Sequence, residues 1–420
     1  MKICLIVDDY MPHSIKVAAK MMHELAQEYV KQGHSVSVLT PNPHQKENCK
    51  TSKLDGVNII SFKSGEIKNV SKIKRAINET MLSFNAWKNS KEILKNDKYD
   101  LIVYYSPSIF FGPLVKKLKK LWDAKTYLVL RDIFPQWTID NKILKEKSLI
   151  TYYFKFFEKI NYEAADTIGV MSEKNLEWFK DYYKTNKSLE VLYNWADLKE
   201  FKQESNKYRK MLNLEDKIIY FYGGNLGHAQ DMMNLVRLAV SMQDENKVHF
   251  LFVGAGDEYN LIENSIKEKE LKNITLLPSV DQEEFKQLLA ECDVGLFSLN
   301  KNHKTHNFPG KLLGYMVQSM PILGSINSNN DLQNIIEDNN AGFISVNEED
   351  DILVSNAKKL LDKKIRKQIG KNANNLLKNK FSVNSAAMQI LDSHHKGITT
   401  EDNDDLHFLD DIEEFSIYKV

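Results

Sequence analysis

The stretch that most constrains the fold runs from Asn307 to Gly324, NFPGKLLGYMVQSMPILG. Phe308-Pro309-Gly310 is a helix-entry signal: proline suits a first turn, glycine lets the backbone approach a ligand closely, and Lys311 follows at once. Leu312, Leu313, Tyr315, Met316 and Met320 repeat at helical spacing, and Pro321-Ile322-Leu323-Gly324 reads as a short buried strand. The stretch is half of an αβ unit. A helix N-terminus carries unpaired N–H groups and partial positive charge, so Pro309, Gly310, Lys311 and Leu312 form a candidate phosphate site. An ordinary surface helix with one lysine has the same pattern, so the neighbourhood must decide.

The alternation of strand and helix continues along the chain. Ile3 to Val7 is an apolar run, Ile15 to Gln32 a helical pattern ending at Gly33, and Ser35 to Thr40 a second strand, which together make a βαβ opening. Strands are expected from Asp100 to Tyr105, Thr126 to Leu130, Asp166 to Met171, Ile218 to Tyr222, Val248 to Val253, Ile274 to Leu277 and Val294 to Phe297. A chain of 420 residues has room for two domains of about 200 residues each. The reading gives a first domain at 1–198, a second at 199–382, a closing helix at 383–397 and an acidic, flexible tail at 398–420.

The formal charge balances to zero, with the lysine excess in the first half and the acids gathered in the tail. Lys63 to Lys98 reads as one lysine-rich helical stretch bearing Met81, Leu82, Phe84 and Trp87, and Lys116 to Trp122 as a second basic amphipathic run. Such helices can lie in an anionic headgroup layer, although a charge run is more often a solvated face. No nucleic-acid recognition motif accompanies the lysines, so nucleic acid is not expected as a partner. Three scattered cysteines exclude a disulfide framework and point to a reducing cytosol. No apolar run approaches the ~18 residues of a membrane span. His303 and His306 lack a third ligand nearby, so no metal is expected.

Loops at carboxyl strand ends are where open α/β sheets place ligands. Pro12 to Lys16 is one such loop, with Ser14 and Lys16 as polar candidates. Arg131-Asp132, before a proline turn, is another; the pair is either a site or a plain salt bridge. Gly223, Gly224 and Gly227, with Asn225 and Leu226, stand between a strand and a helix, where a backbone can approach a diphosphate or simply turn tightly. Gly254 ends the next strand of that half.

Pro309-Gly310-Lys311-Leu312-Leu313-Gly314-Tyr315-Met316 followed by Met320-Pro321-Ile322-Leu323 resembles the proline-lysine helix of retaining nucleotide-sugar glycosyltransferases of family 4. That family includes bacterial O-antigen and capsule transferases. The resemblance implies an α/β fold of two facing Rossmann-like domains (GT-B) with an active-site cleft between them. Further, it implies no cofactor, a nucleotide-diphosphate sugar donor, a lipid-diphosphate-linked acceptor and work from the cytoplasmic face of the cell membrane. By alignment the family's diphosphate-binding arginine and lysine fall on Asn225 and Gln230, and the turn from Pro278 to Val280 borders the base. Ser14, Lys16 and Arg131 fall on the acceptor side. The family's acidic pair falls on His306 and Gly314, so neither glutamate is present, and His306 is a catalytic substitute by position only. The run Asp132-Ile133-Phe134-Pro135 is similar to transferases of N-acetyl-L-fucosamine-type sugars, in which Asp132 would orient or deprotonate an acceptor hydroxyl. A sugar-nucleotide 2-epimerase of the same fold and an inactive scaffold homologue are the rival readings. The first wants more carboxylates at the strand ends, and the missing glutamates favour the second.

Overall fold

The computed structural model describes residues 1–396 apart from 15, 68–69, 141, 197, 203–205, 303–308 and 329. His303, His306 and the acidic tail therefore lie outside the described residues, as does Asp197, near which the domain boundary was expected. The chain divides into two compact units, Met1–Leu192 joined by the segment from Ala386 onward, and Tyr193–Ser385. The division precedes the expected boundary at 198, and most of the expected closing helix groups with the first unit.

In the first unit the elements are β1 (Lys2–Ile6), α1 (Val17–Lys31), β2 (Ser35–Asn42), β3 (Cys49–Leu54), β4 (Val57–Lys63), α2 (Lys72–Thr80), α3 (Leu82–Asn96), β5 (Leu101–Ser106), α4 (Gly112–Trp122), β6 (Lys125–Leu130), α5 (Gln136–Asp140), α6 (Leu149–Glu163), β7 (Thr167–Val170), α7 (Glu173–Tyr182) and β8 (Ser188–Val191). The sheet order is β3-β4-β2-β1-β5-β6-β7-β8. Its strands pair in parallel except for β3, which runs antiparallel to β4. Strands β1, β5 and β6 are apolar along nearly their whole length because a parallel sheet is covered by helices on both faces. Ser172 caps α7 by accepting from the Asn175 N–H, a contact worth about 1 kcal/mol.

The second unit holds α8 (Lys207–Met211), β9 (Ile218–Asn225), α9 (Met232–Ser241), β10 (Val248–Ala255), α10 (Tyr259–Glu268), β11 (Ile274–Leu277), α11 (Gln282–Ala290), β12 (Val294–Ser298), α12 (Gly310–Val317), β13 (Ile322–Ile326), α13 (Leu332–Glu337), β14 (Gly342–Val346), α14 (Asp350–Lys359) and α15 (Lys363–Leu376). The strand order is β11-β10-β9-β12-β13-β14, all parallel. Each unit is thus a Rossmann-like α/β domain. In each sheet the order reverses beside one strand, between β1 and β5 in the first and between β9 and β12 in the second, which opens a crevice at the carboxyl ends. The last helix, α16 (Val383–Lys396), follows.

Two sequence readings change. The expected helical stretch from Lys63 to Lys98 is the end of β4 followed by α2 and α3, which break at Met81. Before it lies the hairpin β3–β4, turned by Asp55 and Gly56 with φ of 49° and 84°, the backbone of a type I′ turn. The second basic run is α4, but its apolar arc, Leu114, Val115, Leu118 and Trp122, is buried in the core of the first unit. Its cations are engaged: Lys116 reaches Glu163 at 2.8 Å, Lys119 reaches Asp166 at 2.6 Å, and Lys117 stands 4.4 Å from the Trp87 ring centroid. The run is a core helix with a paired outer face, and Trp122 also donates from Nε1 to the Leu94 carbonyl at 2.8 Å. Trp122→Ala should therefore cost about 3–5 kcal/mol in denaturant unfolding. A change under about 1 kcal/mol would return the helix to the surface.

Candidate functional site

In the second unit the backbones of β9 and β10 approach closely at their carboxyl ends. These strands stay in register through Gly224 opposite Gly254 and Asn225 opposite Ala255. A Cβ on Gly254 would stand 1.8 Å from the Gly224 carbonyl oxygen, and Gly224 itself has φ +126°, so both positions require glycine. Beyond them, Leu226 is fully buried. Its N–H donates to the Ala255 carbonyl at 3.0 Å, and its carbonyl accepts from the Glu258 N–H at 2.9 Å. Leu226 thus fastens the turn and has nothing left for a ligand, contrary to the sequence reading. Gly227 is hemmed in, a Cβ there meeting Asn225 Nδ2 at 2.7 Å and Asp257 Oδ1 at 2.9 Å. Asn225 donates from Nδ2 to Gln230 Oε1 at 2.8 Å, so the two aligned residues hold each other.

Helix α12 begins beside this turn. Pro309 is its N-cap in extended conformation with no side-chain cap, and Gly310 is exposed. Leu312 lies wholly in the core with its N–H given to the Pro309 carbonyl at 3.0 Å, so it anchors the helix and leaves ligand contact to its neighbours. Tyr315 fixes the helix from below: its hydroxyl donates to the Leu296 carbonyl at 3.0 Å and accepts from the Gly223 N–H at 3.4 Å. Lys311 is thereby aimed back at the glycines. Its Nζ sits 3.6 Å from the Tyr222 ring centroid and 3.6 Å from where a Cβ on Gly224 would stand. Among the described residues it has no ion pair, and burial pulls its pKa down from 10.5 to about 7. Pro278 is exposed and Val280 half-buried in the loop after β11.

In the first unit the crevice residues follow β1, β5 and β6. Ser14 is almost buried and donates from Oγ to Asp9 Oδ2 at 2.7 Å while accepting from the Lys16 N–H at 3.3 Å, so it builds the loop. The Lys16 side chain is exposed. Arg131 turns inward, donating from Nη1 to the Leu130 carbonyl at 3.3 Å and toward the Gly169 carbonyl at 3.5 Å; burial lowers its pKa to about 10. Asp132 is not ion-paired among the described residues, and burial raises its carboxyl to about 6. The same unit holds a buried carboxyl with no sequence signal: Glu158 accepts from Tyr182 at 2.9 Å and from Tyr162 at 3.2 Å, and burial lifts it to about 7. Among the described residues no group of three or more His, Cys, Asp or Glu side chains is placed to hold a metal.

Asp132 carries a testable sign. Its pKa is higher folded than unfolded, so the folded state holds the extra proton between about 4 and 6 and stability falls as pH rises through that window. Asp132→Asn should melt higher than wild type at pH 8 and alike at pH 3.5 by calorimetry; equal melting at pH 8 would place the carboxylate in water.

Comparison with known proteins follows the same division. Residues 18–200 match the family described as Glycosyltransferase Family 4, and residues 204–376 match Glycosyl transferases group 1. WbjE of Pseudomonas aeruginosa, named as a probable glycosyltransferase, is 23% identical over 222 residues, covering 52% of this chain and 55% of that protein. WcaI of Escherichia coli, named as a colanic acid biosynthesis glycosyl transferase, is 24% identical over 226 residues, 51% of this chain and 54% of that protein. The chain thus spans about half the length of the curated relatives it matches. Among solved structures, Anabaena HepE in complex with UDP is 15% identical with a TM-score of 0.64, over 94% of this chain and all of that one. That likeness shows the fold. Residues 18–200 are thus similar to Glycosyltransferase Family 4 and residues 204–376 to Glycosyl transferases group 1, on a fold of two Rossmann-like sheets shared with HepE.

Proposed function

We propose that the chain transfers a sugar from a nucleotide diphosphate, UDP in the first instance, with retention, to a lipid-diphosphate-linked saccharide in bacterial surface polysaccharide synthesis. The observation that carries this reading is Lys311: a desolvated ammonium without an acidic partner among the described residues, at a glycine-lined strand end beside a helix N-terminus that no side chain caps. Burying a cation without a counter-ion is costly, and an incoming diphosphate offsets that cost. UDP in the complex of HepE and the naming of WcaI for colanic acid support the donor and the pathway class. N-acetyl-L-fucosamine as the sugar rests on the run Asp132 to Pro135 alone. In this reading Gly224, Asn225, Gly227, Gln230, Gly254, Pro309, Gly310 and Lys311 face the diphosphate, and Pro278 and Val280 border the base. Lys16 and Arg131 serve the acceptor side, with Asp132 and His306 in the chemistry. Departing charge on the diphosphate is stabilised by N–H groups and Lys311, without a metal.

Lys311→Ala should weaken UDP binding by the roughly 1.5–3 kcal/mol of a charged hydrogen bond, with melting no lower than wild type, since the variant loses an uncompensated buried cation. With a pKa near 7 in the free protein, the ammonium must take up a proton when a diphosphate arrives above pH 7. UDP-sugar affinity should accordingly fall as pH rises from 7 to 9, by up to about tenfold per unit. Titration calorimetry in buffers of different ionisation enthalpy measures both, and pH-independent binding would remove Lys311 from the phosphate.

Asp132→Asn should cut turnover by about 100-fold or more while UDP binding persists, since the nucleotide is assigned to the second unit. Wild-type turnover should rise with pH through about 6 as the carboxyl ionises. Full turnover in the variant makes Asp132 structural. Turnover of the nucleotide sugar without any acceptor, yielding a 2-epimer, would instead establish the epimerase.

A further inference from the structure

Helix α6 begins with a reversed amphipathic pattern. Leu149, Tyr152, Tyr153 and Phe156 recur at i, i+3, i+4 and i+7, the spacing that ordinarily faces a core, yet all four are exposed, Leu149 at 89%. Helix α2 repeats the arrangement, with Ile73 and Ile77 exposed at 76% and 59%. Between the two helices lies an open cavity of about 440 Å³, lined by Ile73, Ala76, Ile77 and Met81 from the α2 side and by Ile150 and Tyr153 from α6, with Thr80 hydrogen-bonded to the Tyr153 hydroxyl. Single exposed apolar residues need no explanation, but a lined groove of them does.

Two observations identify the occupant. First, ring contacts link the groove to the neighbourhood of Asp132. Tyr153 packs on Phe154 at 5.4 Å between centroids, Phe154 on Phe134 at 4.8 Å, and Phe134 lies two residues from Asp132. An apolar track therefore leads from the proposed acceptor carboxylate to the groove. Second, the rim is cationic: Lys74 and Arg75 on α2, and Lys142, Lys145 and Lys147 before α6, are exposed, against Glu79, which pairs with Arg75, and Glu146. An apolar channel with basic edges matches a hydrocarbon chain that carries phosphate. No helix among the described residues is long and apolar enough to cross a membrane, so the exposed stripes are not part of a span.

From this we infer that the α2–α6 groove binds the hydrocarbon chain of the lipid-diphosphate acceptor, with its diphosphate at the basic rim and its saccharide toward Asp132. The inference rests on the proposed acceptor class and extends it to a place on the first unit. It also moves the lipid contact away from α4, whose apolar arc is core.

The test needs no turnover, so its failure is separable from failure of the transfer reading. Full-length protein saturated with UDP is titrated with farnesyl diphosphate and with inorganic diphosphate. Farnesyl diphosphate should bind at least about tenfold more tightly. Ile77→Glu and Ile73→Glu, at positions exposed enough to spare the fold, should abolish that preference while Ile77→Leu keeps it, and UDP affinity should be unchanged in all three. Equal affinity for the two diphosphates would overturn the inference, as would farnesyl binding that survives both glutamate variants. Adsorption to anionic vesicles, or self-association, that depends on Ile77 without any farnesyl preference would assign the groove to a bilayer or to a second copy, and would also overturn it.

Discussion

The cation of Lys311 is the interaction on which the second unit's site depends. An ammonium held away from water survives in a folded protein only if something compensates it, and here the compensation is partial: the face of Tyr222 at 3.6 Å, with no carboxylate among the described residues. That position is dictated from beneath. Gly254 allows β10 to pass against the Gly224 carbonyl, Gly295 leaves room for the Tyr315 ring, and Tyr315 ties α12 to β9 and β12. A side chain at either glycine would push the lysine out of line. The site is therefore a product of packing as much as of its charged residue, in the way preorganised sites usually are.

In the first unit the corresponding tension is between Arg131 and Asp132. Neighbours in sequence with opposite charge would ordinarily pair, yet Arg131 folds inward onto backbone carbonyls, and no ion pair joins the two. Each has its charged form disfavoured by burial, the guanidinium lowered to about 10 and the carboxyl raised to about 6. Groups kept in such a state at a strand end cost stability, and proteins commonly accept that cost where chemistry is done. Glu158 of α6, held by the hydroxyls of Tyr162 and of Tyr182 on α7, is a further group of this unit whose charged form burial disfavours. The same helix lends Ile150 and Tyr153 to the apolar groove.

An amphipathic pattern by itself leaves open whether a membrane, solvent or the core meets each face. Lys116 to Trp122 has the composition of a membrane-surface helix, but an apolar arc says only that something must cover it, and the covering here is the sheet itself. The real uncovered stripes on α2 and α6 carry isoleucine, leucine and aromatic residues indistinguishable in type from core residues. Periodicity gives a face its width and leaves its partner undetermined. The glycine turn behaved similarly: Leu226 was read with its neighbours as ligand-facing, whereas the turn spends its N–H and carbonyl on β10 and α10.

Local pattern determined the order of strands and helices, the two-domain α/β class, the proline-lysine helix entry and the glycines at the strand end, because each is written in adjacent residues through period, cap and φ. The Asp55-Gly56 hairpin, absent from the sequence expectations, also has a local signal, since two residues suffice for its turn. Tertiary structure alone decided which charged groups are desolvated, which lysines on α4 are neutralised, that Tyr222 lies under Lys311, and that Tyr182 meets Glu158. Those properties depend on residues far apart in the chain meeting across a sheet, and both desolvation and pairing fall off over a few ångströms, a distance that sequence spacing does not encode.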